Sequence, residues 1–206
     1  MIEIWGRASS SNVQKVLWCC SELGLGYERY DIGREFGGNN TPEYLKMNPN
    51  GLVPTIRDDG LIVWESNTIQ RYLAAKYGDG VIYPTDAAAR THVDRWLDWE
   101  AGTLAPTIHP VFWGLVRTPP EQRDLAALSI AQSKLTDVFA ILDRHLSDRK
   151  FIGGNGLTLA DIAMGNSAYR WYNFAMTRPE FPGLKAWYEI ISQRFGFREH
   201  IARPMV

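Results

Sequence analysis

The sequence is poor in cysteine: its 206 residues include only two, Cys19 and Cys20, which are adjacent. Adjacent residues point about 100° apart on a helix and cannot close a relaxed disulfide. On their own they form neither a disulfide framework nor a metal site, and we expect them to fill apolar space. The histidines are scattered without ligand spacing, so we predict no metal site; they are His92, His109, His145 and His200.

Neither sign of charge is in excess, because 22 Lys and Arg stand against 23 Asp and Glu and leave a net charge of -1. Such a balance argues against nucleic acid or an acidic membrane as a partner. No apolar run approaches the ~20 residues of a membrane span. The start, Met1 to Trp5, alternates like a strand and lacks the basic and apolar regions of a signal peptide. We therefore expect a soluble, cytoplasmic protein.

The first 77 residues alternate between strand and helix patterns. Residues 2–5 and 27–32 are predicted strands, and between them apolar residues at helical spacing run from Val13 to Leu23 and end at Gly24. Thr41 and Pro42 suit the cap and first position of a short helix. A strand, a helix and a second strand require parallel pairing, whereas the hairpin that follows is antiparallel. The order βαβαββα therefore predicts a mixed four-stranded sheet.

The stretch from Asn48 to Ile56 enters that hairpin. Pro54 cannot donate to a sheet ladder, so it should open an edge strand, and after a tight turn it is a candidate for the cis isomer. Asp58-Asp59-Gly60 predicts the hairpin turn. Ser66 is then the predicted cap of a helix.

Strand patterns nearly vanish after residue 86, and the second half is predicted to be all α-helical. A long helix follows Asp86, which Pro106 and Pro110 should bend or end. Another should begin at Pro119, and Thr158 with Asp161 has the form of a capping box. We predict domains at 1–79 and 87–206 with a linker at 80–86.

The order Asn48-Pro49-Asn50-Gly51-Leu52-Val53-Pro54, then Glu65-Ser66, then a helix resembles the glutathione-binding half of the glutathione S-transferase family. The similarity is to bacterial members of the serine or asparagine type with a theta-like N-terminal motif. It implies a thioredoxin-like domain joined to a helical one, and it covers essentially the whole chain. It also implies a homodimer, with glutathione as co-substrate and a small, mostly apolar electrophile as second substrate.

The loop Ser9-Ser10-Ser11-Asn12 precedes the first helix. Such residues are usually helix caps, but a hydroxyl at a helix N-terminus can also donate to a bound thiolate. Lowering a thiol pKa by ~2 units requires about 2.7 kcal/mol, which suits one donor plus a helix N-terminus. The resemblance places the thiolate donor at Ser11, then Ser10, then Asn12, with Ser9 the weakest candidate.

The same resemblance assigns the remaining contacts to glutathione. Glu65 and Ser66 match the pair that holds the γ-glutamyl end, and Val53, before Pro54, matches the residue whose backbone binds the cysteinyl amide. Asn50 and Asn40 are candidates for the glycyl carboxylate. The second-substrate pocket is assigned to three residues of the helical half: Phe112, Trp113 and His109.

Three alternatives to transfer remain open. Glutathione-dependent isomerisation and disulfide reduction are two of them, although the first loop has no cysteine for chemistry through a protein thiol. The third is a family member that kept the fold as a binding protein. All the residues of the glutathione set are present, which favours an enzyme.

Overall fold

The first half of the chain builds one mixed sheet. The computed structural model describes residues 1–205, and its strands are β1 (Ile2–Trp5), β2 (Tyr27–Tyr30), β3 (Thr55–Asp58) and β4 (Leu61–Trp64). They lie in the order β2-β1-β3-β4. β1 pairs in parallel with β2 and antiparallel with β3, and β3 pairs antiparallel with β4. The predicted mixed four-stranded sheet is confirmed.

The hairpin and the strand ends follow local chemistry. Asp59 and Gly60 join β3 to β4 with φ of 48° and 84°, the positive pair that a tight two-residue hairpin requires. The Val53–Pro54 bond is cis, as expected. The expectation that Pro54 opens an edge strand was wrong, because β3, which begins at the next residue, lies between β1 and β4. The prediction that the second strand reaches Ile32 was wrong, because β2 ends at Tyr30, which pairs with the last residue of β1, Trp5.

The helices of this half are α1 (Ser11–Glu22), α2 (Pro42–Met47) and α3 (Ser66–Tyr77). The Thr41 hydroxyl caps α2 by accepting from the Tyr44 amide at 3.3 Å, as predicted. Every residue of α1 from Val13 to Cys20 is buried. A helix buried all round must be enclosed, and α1 contacts α3, α7 and the turn at 197–201. Both cysteines lie in this interior as free thiols, as expected.

The second half is helical throughout its described elements, as predicted. The α-helices are α4 (Ala87–Trp99), α5 (Ala105–Phe112), α6 (Leu125–Leu146), α7 (Leu159–Asn173) and α8 (Pro182–Ile191). Three π-helical turns occupy Glu100–Leu104, Trp113–Arg117 and Phe197–Ile201. A 3-10 turn lies at Pro120–Gln122.

The two prolines were predicted either to bend or to end the long helix, and they do not end it. The backbone stays helical from Ala87 to Arg117. Pro106 falls in the first turn of α5, directly after a π turn, where its missing N–H is tolerated. Pro110 lies inside α5 and is followed by the second π turn.

The prediction that a helix begins at Pro119 was also wrong. α6 begins at Leu125, because Asp124 supplies the cap and accepts from the Ala127 amide at 2.9 Å. By length and composition α6 is the one helix among residues 1–205 that could cross a membrane. It packs on α5 and α8 and buries Leu135, Phe139, Leu142 and Leu146. A core helix of a soluble protein passes the same test, so no membrane role follows.

Two contacts fix the start of α7 and its position on α1. The Asp161 carboxylate accepts from the Thr158 amide at 2.8 Å and from its hydroxyl at 2.9 Å, which confirms the acidic partner of the predicted cap. Gly165 of α7 lies against the Trp18 ring of α1, where a Cβ would overlap the ring atom Cζ3. α1 is thereby held against the helical half of the chain.

Candidate active site

The start of α1 carries backbone donors without acceptors. Ser10 occupies the cap position with extended backbone, φ -78° and ψ 124°, but its side chain makes no capping hydrogen bond. The first helical bond runs from the Gln14 amide to the Ser10 carbonyl at 2.8 Å. Within residues 1–205 the amides of 11–13 therefore have no partner, and such exposed donors form an anion site.

The start of α3 faces the start of α1. Ser66 was predicted to cap α3, and this was wrong: Ser66 is the first helical residue and Glu65 holds the cap position without a side-chain bond. Glu65 has a φ of 71°, and its carbonyl accepts from the Ile69 amide at 2.8 Å. The Ser66 hydroxyl instead donates to Asn12 Oδ1 at 3.3 Å. Two uncapped helix N-termini thus open on the same space.

The serines of the first loop do not share one face. Ser10 is buried and Ser11 half-buried, while Asn12 is exposed and contacts Ser66. Ser9 lines a separate cavity with Glu199 and His200. The structure therefore separates Ser9 from the other three candidates.

Val53 offers its backbone beside this space. It is half-buried, and its N–H and C=O make no hydrogen bond to residues 1–205. The loop is held by side chains to which the sequence had assigned no role. The Leu52 carbonyl accepts from Tyr44 Oη at 2.7 Å and from Asn48 Nδ2 at 2.8 Å, and Asn48 Nδ2 also donates to Thr55 Oγ1 at 3.1 Å. The available signal in the sequence was that Asn48 directly precedes a proline, a pair that favours a turn.

The two asparagines proposed for the glycyl carboxylate are both exposed. Asn50 donates through its amide and its side chain to Asn48 Oδ1, at 3.1 and 3.3 Å. Asn40 has no side-chain hydrogen bond within residues 1–205, whereas Asn39 donates to the Gly51 carbonyl at 2.7 Å. The structure therefore brings Asn39 to the loop that also carries Asn50.

A buried ion pair lies behind the two helix N-termini, and sequence reasoning missed it. Lys15 Nζ of α1 lies 3.0 Å from Glu100 Oε2 in the first π turn, with both side chains buried. Asn67 Nδ2 of α3 donates to the same carboxylate oxygen at 3.1 Å. A buried pair needs such additional hydrogen bonds. The network couples both helix starts to the helical half, and a lysine inside the buried face of α1 was the available signal.

The three residues assigned to the second substrate divide between two faces. His109 and Trp113 line a cavity of about 510 Å³ beside the start of α6, with ring centroids 5.6 Å apart. No residue of the first 79 lines that cavity. Phe112 is buried on the other side, beneath the guanidinium groups of Arg117 and Arg170.

The cysteines do not supply a reactive thiol. Burial raises the pKa of the Cys20 thiol to about 12, and burial also raises the pKa of Cys19. Among residues 1–205, no group of three or more His, Cys, Asp or Glu could hold a metal ion. A nucleophilic sulfur at this site has to arrive with a ligand.

Comparison with known proteins identifies the family. Sequence models of the glutathione S-transferase N-terminal and C-terminal domains match residues 9–76 and 104–194. The chain is 42% identical over 207 residues to glutathione S-transferase GstB of Escherichia coli, with 100% of both proteins covered. It is 30% identical to glutathione S-transferase 3 of Zea mays, covering 98% of this chain and 93% of that one.

A solved structure gives the same result. The theta class glutathione S-transferase from Xanthomonas axonopodis pv. citri, with glutathione bound, superposes with a TM-score of 0.95 at 41% identity and covers 100% of this chain and 99% of that one. The mixed four-stranded sheet joined to a helical half matches the thioredoxin-like and helical domains of glutathione S-transferases. The chain belongs to the glutathione S-transferase family, and its activity is glutathione transfer with glutathione as co-substrate.

Proposed function

We propose that glutathione lies across the facing starts of α1 and α3. Its γ-glutamyl carboxylate would take the free amides of α3 and the Ser66 hydroxyl, and its ammonium would pair with Glu65. Its cysteinyl amide would pair with the backbone of Val53 before Pro54. The observation that carries this proposal is the 3.3 Å contact between Ser66 and Asn12, because it joins the two anion sites.

The thiol then reaches the start of α1, where three side chains are candidate donors. Ser11 remains the first candidate, followed by Ser10 and Asn12. The donor and the free amides lower the thiol pKa, so that more of the sulfur is thiolate at neutral pH. The thiolate adds to an electrophilic carbon, or displaces a leaving group that departs with the bonding electrons. Catalysis consists of ionising and positioning the sulfur, without a covalent enzyme intermediate.

The second substrate would be a small electrophile bound on the helical half. Phe112 is buried beneath the guanidinium groups of Arg117 and Arg170 and is kept as the first candidate. His109 and Trp113 line the separate cavity and would serve only a substrate that extends there. Asn50 and Asn40 stay the candidates for the glycyl carboxylate, together with Asn39.

The division of labour follows the predicted domains. Residues 1–79 would hold glutathione and 87–206 the electrophile, with 80–86 as linker. From family membership we also propose that the protein is a homodimer, that it acts in the cytoplasm and that it serves in detoxification. Sedimentation velocity of the purified protein tests the dimer. A homodimer should sediment with about twice the 23.4 kDa mass of one chain.

Turnover of chlorodinitrobenzene tests the proposed donors. Replacing one donor to a thiolate should lower kcat/KM about 10- to 100-fold at neutral pH, because a hydrogen bond to a charged group contributes about 1.5–3 kcal/mol. Ser11→Ala, Ser10→Ala and Asn12→Ala are compared with Ser9→Ala, which faces the other cavity and should keep full activity. An equal, small effect in all four variants would contradict the assignment.

A disulfide substrate separates the alternatives. A glutathione-dependent reductase would turn over hydroxyethyl disulfide faster than chlorodinitrobenzene. A binding protein would bind glutathione and turn over neither.

A further inference from the structure

A polar cavity separate from the proposed thiol site lies where the first loop, α1, β2 and the C-terminal segment meet. It measures about 450 Å³. Of the described residues 9–12 only Ser9 lines it, so the stronger candidates for the thiolate donor do not reach it. We call this space the rear cavity. Its polar lining includes Ser9, Gln14, Tyr27, Arg29, Glu199 and Arg203.

Gln14 of α1 brings an unpaired donor to the rear cavity, although only 5% of the residue is exposed. Asn166 Nδ2 of α7 donates to Gln14 Oε1 at 2.5 Å, which fixes the oxygen toward α7 and leaves the nitrogen away from it. Within residues 1–205, Gln14 Nε2 has no hydrogen-bond partner, and it is not sealed inside the protein. The opening that Gln14 lines is the rear cavity. A nearly buried amide donor is stabilised by an acceptor placed there.

Two hydroxyl groups of the rear cavity are unpaired as well. Ser9 and Tyr27 are half-buried, and neither side-chain oxygen makes a hydrogen bond within the described residues. His200 also lines the cavity but differs, because its Nε2 already lies 2.9 Å from Ser21 Oγ. Unpaired groups from the first loop, from α1 and from β2 therefore line one space. Polar groups removed from bulk water are normally paired in folded proteins, so their convergence favours an occupant.

Two arginines of the rear cavity have guanidinium nitrogens left free. Arg29 donates to the Gly6 carbonyl at 2.9 Å and pairs with the Asp31 carboxylate, and its Nε has no partner within residues 1–205. Arg203 donates through Nε and Nη2 to Glu199, and its Nη1 has no partner in the same range. Because each arginine already has a carboxylate partner, it adds hydrogen-bond donors rather than excess charge. A guanidinium has five N–H donors and can serve a second ligand oxygen.

The rest of the lining is apolar. Leu17, Ala8 and Pro204 line the rear cavity together with Tyr27. Its volume lies in the range of about 300–1,000 Å³ that is typical of small-molecule sites. A ligand that suits both kinds of lining carries oxygen acceptors at one end and a small apolar ring at the other. A carboxylate is the acceptor that best matches guanidinium and amide donors.

We propose that the rear cavity is a second ligand site, which binds a small aromatic carboxylate while glutathione lies across the starts of α1 and α3. The carboxylate accepts from Gln14 Nε2 and from the free guanidinium nitrogens, and the ring packs against Leu17 and Tyr27. The inference goes beyond the proposed function, since no step of the transfer takes place in this cavity. Its occupant should therefore compete neither with glutathione nor with the electrophile.

Benzoate and benzamide test the proposal, because they share a ring and a size and differ in charge. Calorimetry on the whole chain, saturated with S-methylglutathione, measures their binding. Benzoate should bind once per chain and at least about tenfold more tightly than benzamide, since hydrogen bonds to a charged acceptor are the stronger ones. Omitting S-methylglutathione should leave the benzoate affinity unchanged. The readout needs no transferase activity, so failure of the proposed function would leave this test intact.

Two substitutions locate the site. Gln14→Glu keeps an oxygen for Asn166 Nδ2 and replaces the free donor by a second oxygen, so the benzoate affinity should fall at least about tenfold. Arg203→Met removes guanidinium donors from an exposed position and should lower the affinity about fivefold. Arg198→Met is the matched control, because Arg198 is exposed in the neighbouring π turn and does not line the cavity. Arg203→Met remains informative if Gln14→Glu fails to fold.

Four results would overturn the inference. They are an absence of benzoate binding, equal affinities for benzoate and benzamide, displacement of benzoate by S-methylglutathione, and benzoate binding that both cavity variants leave unchanged. The supporting result is benzoate binding that persists with S-methylglutathione, exceeds benzamide binding, and is weakened by Arg203→Met and Gln14→Glu but not by Arg198→Met.

Discussion

The Ser66 hydroxyl lies 3.3 Å from the side-chain oxygen of Asn12, and this contact joins the first turn of α3 to the first turn of α1. Each turn presents backbone amides without acceptors. A ligand with two anionic groups a short distance apart can therefore bridge them, and the γ-glutamyl carboxylate and the thiolate of glutathione form such a pair when the thiol is ionised. The buried pair of Lys15 and Glu100 supports both helix starts from behind.

Glu65 combines a strained backbone with a proposed binding role, and two substitutions separate them. Glu65→Gln keeps the φ of 71° but loses the charge. It should raise the KM for glutathione about tenfold and change the free energy of unfolding by less than about 0.5 kcal/mol. Glu65→Gly should raise KM equally and stabilise the protein by about 1 kcal/mol, since a non-glycine residue in that conformation costs about 1–3 kcal/mol.

Urea unfolding and steady-state kinetics of both variants check this prediction. A glutathione KM unchanged in Glu65→Gln would remove Glu65 from the binding site. Lower stability in Glu65→Gly than in Glu65→Gln would show that the backbone is not strained.

Asp58 gives the fold a defined response to acid. Its buried carboxylate accepts from Lys76 Nζ at 2.7 Å and from the hydroxyls of Tyr72 and Tyr77, each at 2.8 Å. Burial raises the pKa of this carboxyl, but the hydrogen bonds from Lys76, Tyr77 and Tyr72 outweigh burial and hold the pKa below its usual value. The ionised group therefore stabilises the folded state above the unfolded pKa of about 3.9, and this stability is lost as pH falls through the folded pKa.

Asp58→Asn should consequently cost about 1–3 kcal/mol at neutral pH, and the cost should shrink below about pH 4. Urea unfolding across that range measures it, with Asp137→Asn on the exposed side of α6 as the control. A cost for Asp58→Asn that grows as pH falls would contradict the sign worked out here.

Gly165 tests the packing of α1 on the helical half. Gly165→Ala should destabilise the protein by about 1–3 kcal/mol, because the new methyl group overlaps the Trp18 ring and the core must shift. Gly102→Ala is a matched helical control with open space around the added Cβ, and it should be neutral or stabilising. Thermal and urea unfolding compare the two. Equal stability of both variants would mean that the Trp18 contact does not limit the approach of α7.

Local chemistry made the elements around residues 41–64 predictable. A threonine before proline, a two-residue Asp-Gly turn and a proline before a β-branched run each permit few conformations. The same holds for Asp161, three residues after Thr158. The first half was therefore predictable because its turns are specified by neighbouring residues.

Contacts distant in sequence were not predictable in this way. Pro106 and Pro110 act as helix breakers in isolation, but π turns beside them keep the backbone helical. Phe112 and Trp113 are adjacent in sequence, and only the three-dimensional packing determines that their side chains lie on different faces. The partnership of Lys15 with Glu100 spans 85 residues and leaves no local pattern.

The thiol pKa of bound glutathione tests the central claim, that the start of α1 stabilises a thiolate. Ultraviolet absorbance of the thiolate gives this pKa for wild type and for Ser11→Ala, Ser10→Ala and Asn12→Ala. We expect a wild-type pKa about 2 units below the free value of roughly 8.5, with a rise of at least about 1 unit in the variant that lacks the donor. Glutathione that binds with an unshifted pKa in every protein would contradict the account.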